Sequence, residues 1–337
     1  MKISLEILNQ YQSQGLLYQQ VHPTLPLSIW NYSEKVQYDS LWDDITLSCR
    51  GLVTDDKGNV VARPFRKFFN IEEGKHTPTE QFQVFEKMDG SLGILFFYGN
   101  EWVFASRGSF TSDQALKFKE IFTKKYKTSY LYTPNTYLFE IIYPENRIVV
   151  DYGNIEDVVM LGEINTESGD ELDLNHYTNS IFNVVKEYNG IKDYSSLKSL
   201  VDNNAEGFVV RFSNGDRMKI KGEEYLRLHR IMTNLSTTSV WEILSTNGKI
   251  DEFIKDVPDE FFKKIQDFAF DLSLRYYNLM KEYTECFEII KNKTEDRKSF
   301  AEESKRYPHP SLLFGLLDGK DISPMIWKMI KPEFKKL

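Results

Sequence analysis

Lys87 lies between two apolar runs, Gln81–Phe85 and Leu92–Phe97, within Glu86-Lys87-Met88-Asp89-Gly90-Ser91. Both runs read as strands, and Gly90 permits a tight turn without a Cβ penalty. A lysine at a strand end, against apolar walls, has its charged form disfavoured by desolvation. A neutral amine is a nucleophile, and its attack on the α-phosphate of a nucleoside triphosphate gives a covalent lysyl-nucleotide. The same six residues also describe a surface lysine at a hairpin turn. A motif this short needs support from the rest of the chain.

Four other stretches carry suitable chemistry. Arg63-Pro64-Phe65-Arg66-Lys67-Phe68-Phe69-Asn70 interleaves cations with aromatics, as an amphipathic strand or as a phosphate-binding edge. Tyr137–Ile142 is an apolar strand with a single carboxylate, Glu140, which is expensive to bury unpaired. It either points to solvent or accepts hydrogen bonds from a ligand. Glu206–Phe212 is another strand that opens on a carboxylate. Its partner, Met218–Lys221, places Lys219 and Lys221 on one face. Like charges on one face disfavour each other unless an anion lies between them.

The elements that must position these residues follow from periodicity. Strands are expected at 47–53, 60–63, 102–109, 137–142, 147–151, 158–162, 206–212 and 218–221. Leu5, Leu8 and Tyr11 mark a short helix. Residues 113–127 read as a helix with a solvated lysine face, and residues 176–201 as two helices around Asn189-Gly190. From Glu223 onward the pattern turns helical. Its clearest piece is 259–291, with Phe261, Ile265, Phe268, Leu272, Tyr276, Leu279, Tyr283, Phe287 and Ile290 at steps of three and four. The expected organisation is α+β: a domain of antiparallel sheets with flanking helices at 1–236, then an all-α domain at 237–337.

A chain of 337 residues is long enough for two domains. The net charge of −8 counts against a surface devoted wholly to nucleic acid, but a local basic groove remains compatible with it. Cys49 and Cys286 are far apart, as expected of free thiols in a reducing compartment. No secretory leader or membrane span is legible, so a cytoplasmic protein is expected. The five histidines show no metal-ligand spacing with the cysteines.

In order along the chain, these blocks resemble the T4 RNA ligase 1 family of covalent nucleotidyltransferases. Lys87-Met88-Asp89-Gly90 matches the nucleophile motif, lysine-any-Asp-Gly. Cys49-Arg50-Gly51, Lys67-Phe68-Phe69-Asn70, Ser106-Arg107-Gly108-Ser109, Phe139-Glu140 with Asn146–Val149, Glu206–Val209 and Lys219-Ile220-Lys221 match further blocks. Arg107 stands where the family has lysine, and the two are not interchangeable. Asp296-Arg297-Lys298 and Leu313–Leu316 resemble the family's helical C-terminal domain, which is expected to confer RNA specificity.

The resemblance implies an ATP-dependent RNA ligase. Lys87 would take AMP from ATP, pass it to an RNA 5′-phosphate, and a 3′-hydroxyl would then displace it. Lys219 and Lys221 would hold the α-phosphate and help keep Lys87 deprotonated. Arg50 and Lys67 would orient the β and γ phosphates, with Arg107 also on the nucleotide. Glu140 would accept from the ribose, the backbone at Glu86 would meet adenine, and Glu206 would contact Mg²⁺ or Mn²⁺, directly or through water. The aromatic ATP contact that the family has before Arg50 falls nearest Trp30. Asp89 orders the loop instead of touching substrate. The expected partners are RNA ends, including those of a broken tRNA, with no membrane, and the expected state is a monomer. DNA ligases and capping enzymes carry a β-barrel after the last lysine motif, and the helical pattern here argues against both. A non-catalytic RNA-binding module would be expected to have lost these lysines.

Overall fold

The computed structural model describes residues 3–73, 80–177, 181–250 and 259–335. The chain forms two compact units, Met1–Leu226 and Arg227–Leu337. The division falls inside the helix Glu223–Asn234.

The first unit is built from antiparallel sheets. β1 (Leu17–Val21), β2 (Leu27–Tyr32), β3 (Arg50–Asp55) and β4 (Val60–Ala62) form one sheet in that order. The remaining strands are β5 (Phe69–Asn70), β6 (Phe82–Lys87), β7 (Ser91–Tyr98), β8 (Glu101–Ser106), β9 (Asn135–Ile142), β10 (Asp157–Asn165), β11 (Glu171–Leu172), β12 (Glu187–Tyr188), β13 (Gly207–Phe212) and β14 (Arg217–Lys221). A second sheet has the order β11-β10-β9-β7-β8 and a third β12-β6-β13-β14-β5. Among the named strands of the described residues, the short β5 alone pairs in parallel, with β14.

β9 shows why the second sheet is central. Tyr137, Phe139 and Ile141 enter a core with Phe118 and Phe122 of the helix Asp113–Lys125. Leu138 enters a different core, with Ile29, Val53, Ile94 and Ala105. Both faces are covered, so the strand is apolar on both. Glu140 falls on the Leu138 face by alternation.

β6 and β7 do not form a hairpin. They belong to different sheets, so the Lys87 stretch is where the chain crosses from one to the other. Gly90 is needed for close approach: a Cβ there would lie 2.6 Å from the Ile141 carbonyl oxygen and 2.8 Å from Ile142 Cδ1.

Three local expectations fail for identifiable reasons. Residues 147–151 are not a strand, because the Val149 and Val150 N–H groups donate to the Asp89 carboxylate, at 2.8 and 2.9 Å, instead of to a ladder. Leu47 and Ser48 end a helix, Asp44–Ser48, which a capping box of Asp43 and Thr46 starts. The described part of 176–201 holds no α-helix. Val184 bridges Met160, β12 pairs β6, and Tyr194–Leu200 is a 3₁₀ segment. Apolar residues there are recruited by sheet edges, which the period alone could not reveal.

The second unit is helical. Its longest helix, Asp259–Lys293, buries Ile265, Ala269, Leu272, Tyr283 and Ile290. Tyr283 and Ile290 pack with Phe300, Leu312, Leu313, Ile322 and Ile326 from Arg297–Ser304, Pro310–Leu317 and the segment running into Ser323–Met329. Tyr276 stacks on Trp327, with centroids 4.6 Å apart. No helix among the described residues is long and apolar enough to cross a membrane.

Candidate active site

The third sheet's register assembles the centre of the site. Gly207 of β13 stands opposite Lys87 of β6 on one side and Lys221 of β14 on the other. The residue before it, Glu206, therefore reaches both lysines. Lys87 Nζ lies 2.7 Å from Glu206 Oε2, and Lys221 Nζ lies 2.8 Å from Oε1. Gly207 cannot be another residue: its φ is +142°, and a Cβ would sit 1.9 Å from the Ile220 carbonyl oxygen.

The Glu206 side chain is only 4% exposed. Burial opposes its ionisation, but the charges of Lys87 and Lys221, with the hydrogen bonds both donate, outweigh burial and hold the carboxyl below its usual range. The anion expected between like charges is thus partly supplied by the protein. Apolar walls were expected around Lys87, whereas the structure gives it a carboxylate.

Lys219 lies two residues back on the same face and stands opposite Asn70 of β5. Burial first, then the charges of Lys67, Lys221 and Lys87, push it down to about 8. Glu140 is pushed up to about 7, chiefly by burial, with Lys87 opposing and Glu206 and Asp89 assisting. Arg50 is also shifted down, by burial and by Arg107, with Tyr32 and Glu140 opposing. These mutual influences gather Arg50, Lys67, Lys87, Arg107, Glu140, Glu206, Lys219 and Lys221 into one neighbourhood.

Asp89 is 3% exposed. One carboxylate oxygen accepts from Val149 and Val150, and the other accepts from the Tyr225 hydroxyl at 2.8 Å. Its own N–H donates to the Tyr152 hydroxyl. Asp89 thus fastens the Lys87 crossing to neighbouring segments. Glu86 N–H donates to the Lys186 carbonyl. Beside Glu86 and Met88 is a cavity of about 650 Å³, lined also by Ile142, Tyr152, Val159 and Lys186, large enough for a small-molecule ligand.

Trp30 is in the core, 2% exposed, its indole N–H donating to Thr54. The aromatics that do face the site's cations are Tyr32, Trp42, Phe68 and Phe69. Tyr225, whose ring lies 4.7 Å from Lys221 Nζ, also escaped the sequence reading.

Among the described residues, no three His, Cys, Asp or Glu side chains cluster to hold a metal. Both Glu206 oxygens face lysines. Glu206 therefore offers a divalent ion no free carboxylate oxygen here, and any contact it makes with one is through the ion's waters.

The sequence profile of the RNA ligase family, of the T4 RNA ligase 1 type, matches residues 48–228, over half of the chain. The chain belongs to this RNA ligase family. Its matched region includes Arg50, Lys67, Lys87, Arg107, Glu140, Glu206, Lys219 and Lys221. It is 25% identical over 400 aligned positions to an RNA ligase of Rhodothermus phage RM378, covering 92% of this chain and 88% of that one. It is 27% identical over 270 residues to a protein of Autographa californica nuclear polyhedrosis virus named as a bifunctional polynucleotide kinase/RNA ligase. That match covers 69% of this chain and spans 39% of the viral protein's length. An Aquifex aeolicus structure named for an ATP-dependent DNA ligase shares the fold at 15% identity and TM-score 0.51, over 94% of this chain and 100% of that one. The chain therefore has a ligase-type nucleotidyltransferase fold.

Proposed function

We propose that this protein is an ATP-dependent RNA ligase that works through lysyl-AMP. The observation that carries the reading is the Lys87–Glu206–Lys221 contact, formed by three adjacent strands in a member of the RNA ligase family. Lys87 Nζ attacks the α-phosphorus. An N–P bond forms, the bond to the bridging oxygen breaks, and pyrophosphate leaves. Glu206 Oε2 is within reach of the amine's proton. Lys219 and Lys221 stabilise charge on the α-phosphate. Arg50 and Lys67 hold the leaving phosphates, Arg107 also contacts the nucleotide, Glu140 holds the ribose, and the Glu86 backbone meets the adenine. Mg²⁺, or Mn²⁺ in its place, would neutralise phosphate charge when bound, with Glu206 contacting its waters.

AMP then passes to an RNA 5′-phosphate, and a 3′-hydroxyl displaces it. The substrate is RNA broken during damage, tRNA included. The working form is a monomer in the reducing cytoplasm, in keeping with the free Cys49 and Cys286. The boundary proposed for RNA selection stays at 236/237.

Incubation with labelled ATP and Mg²⁺, followed by peptide mass spectrometry, tests the first step. An adduct on a lysine other than Lys87 sinks the assignment. Sealing of 5′-phosphate and 3′-hydroxyl ends on single-stranded RNA, a nicked duplex and a nicked tRNA loop tests the rest.

A further inference from the structure

Lys67 has an unusual environment. Its Nζ lies 5.5, 5.3 and 5.2 Å from the ring centroids of Tyr32, Trp42 and Phe69. Trp42 is the middle ring. It meets Tyr32 at 4.9 Å and 78°, and Phe69 at 5.3 Å and 79°. The Arg107 guanidinium lies 5.9 Å from the outer Tyr32 ring. Among the described residues, neither Lys67 nor Arg107 makes an ion pair with a carboxylate, whereas Lys87 and Lys221 share Glu206.

A lysine side chain carries about 2 kcal/mol of rotamer entropy, so an unrestrained Lys67 would lose much of its binding in being ordered by a ligand. A carboxylate would order it but also cancel its charge. Aromatic faces order an ammonium and leave the charge intact, and tryptophan does so best. The frame is shared: Lys67 N–H donates to the Leu47 carbonyl at 2.8 Å, and Leu47 lies on the helix whose capping box begins at Asp43, next to Trp42. The Tyr11 hydroxyl donates to Asp43 at 2.7 Å, fixing that helix start.

We propose that Trp42 is a positioning residue: it holds the Lys67 ammonium among three rings, without a neutralising partner, ready for an incoming polyphosphate. The inference deepens the ATP-binding reading and rests on it for the identity of the nucleotide. A purely structural alternative exists, because Trp42 also packs against the cluster of Leu8, Trp30 and Leu52.

The test measures inorganic tripolyphosphate binding by calorimetry and adenylylation over a range of ATP concentrations. Trp42→Ala is expected to weaken tripolyphosphate binding and raise the ATP KM by about tenfold, with the rate at saturating ATP within about twofold. Trp42→Phe keeps a π face and stays within about threefold of the parent. Trp42→Leu keeps bulk without the face and behaves like Trp42→Ala, which preserves the test if the alanine variant does not fold. On a Lys67→Ala background, Trp42→Leu adds almost nothing, as required of a residue that acts through Lys67. Additive losses, equal behaviour of the Phe and Leu variants, or a parent that binds no tripolyphosphate overturns the inference. Tripolyphosphate effects as expected in a parent that forms no lysyl-AMP strike the proposed function and leave the role of Trp42 standing.

Discussion

The site's cations are held in two different ways. Lys87 and Lys221 share the buried Glu206 carboxylate. Lys67 and Arg107 lie over aromatic rings, and Arg50 lies 5.8 Å from the Phe68 ring. A cation bound to a carboxylate must exchange partners before it meets phosphate. A cation held by rings meets phosphate with its charge uncancelled. The difference fits the tasks proposed for each half. The carboxylate-held lysines are those proposed to work at the α-phosphate, and they are restrained until substrate arrives; the ring-held cations, proposed to hold the nucleotide and its leaving phosphates, are left ready.

The comparison breaks most sharply at Lys87. Lys87→Ala should abolish the protein–AMP adduct while circular dichroism stays that of the parent. An adduct that persists would mean that the carboxylate-held half does not contain the nucleophile.

Next in size come the paired lysines. Lys219→Ala and Lys221→Ala should each slow adenylylation by about 2.7–4 kcal/mol in activation free energy, the usual loss of a transition-state charge contact. Single-turnover rates within a few-fold of the parent would remove both from phosphate stabilisation.

Stability separates the halves further. Glu206→Ala strips the counter-charge from two facing lysines and should destabilise the fold by about 3 kcal/mol. Lys67→Ala removes no buried counter-charge and loses only its contacts to the rings, so it should change stability by about 1 kcal/mol or less, while raising the ATP KM. Equal losses in melting temperature would erase the distinction.

pH gives a smaller effect with a definite sign. Lys219, at about 8, binds phosphate as the ammonium, so ATP affinity should fall as pH rises through that value. Glu140, at about 7, accepts hydrogen bonds fully only when ionised, so affinity should also fall as pH drops through that value. kcat/KM for adenylylation should therefore be bell-shaped, and Glu140→Gln should lose the acid limb. A profile flat from pH 6 to 9 would count against both assignments.

The smallest change is expected from deleting the helices after residue 236. A chain ending near Ser236 should form lysyl-AMP at the parent rate but lose discrimination among RNA substrates, the outcome expected if Arg297, Lys298, Lys305 and Arg306 supply RNA-backbone contacts, which position a nucleic acid without reading its sequence. Competition between a nicked tRNA loop and a plain strand measures this, and an unchanged ratio excludes these helices from substrate selection.

Much of this arrangement is legible along the chain because it rests on local pattern. Period-two alternation placed Lys219 and Lys221 on one face, and the steps of three and four over 259–291 marked the long helix. The nucleophile motif stood out because a lysine and a glycine were bracketed by apolar strands. What local pattern could not supply was pairing. Nothing near Glu206 says that Gly207 stands between Lys87 and Lys221, because those lysines are separated from it by different lengths of chain. Nothing near Asp89 says that its carboxylate takes the Val149 and Val150 N–H groups and keeps that segment out of a sheet. Trp30 attracted notice by position, yet the fold buried it and turned Tyr32 and Trp42 toward Lys67.

Sequence alone therefore determined which residues could do the chemistry, since a side chain's acid, base or nucleophilic character is intrinsic. It also set most of the strands and helices that carry them, through the spacing of apolar residues. Tertiary structure decided which charge meets which partner. That depends on strand register and on burial, and both are properties of contacts between segments far apart in the chain.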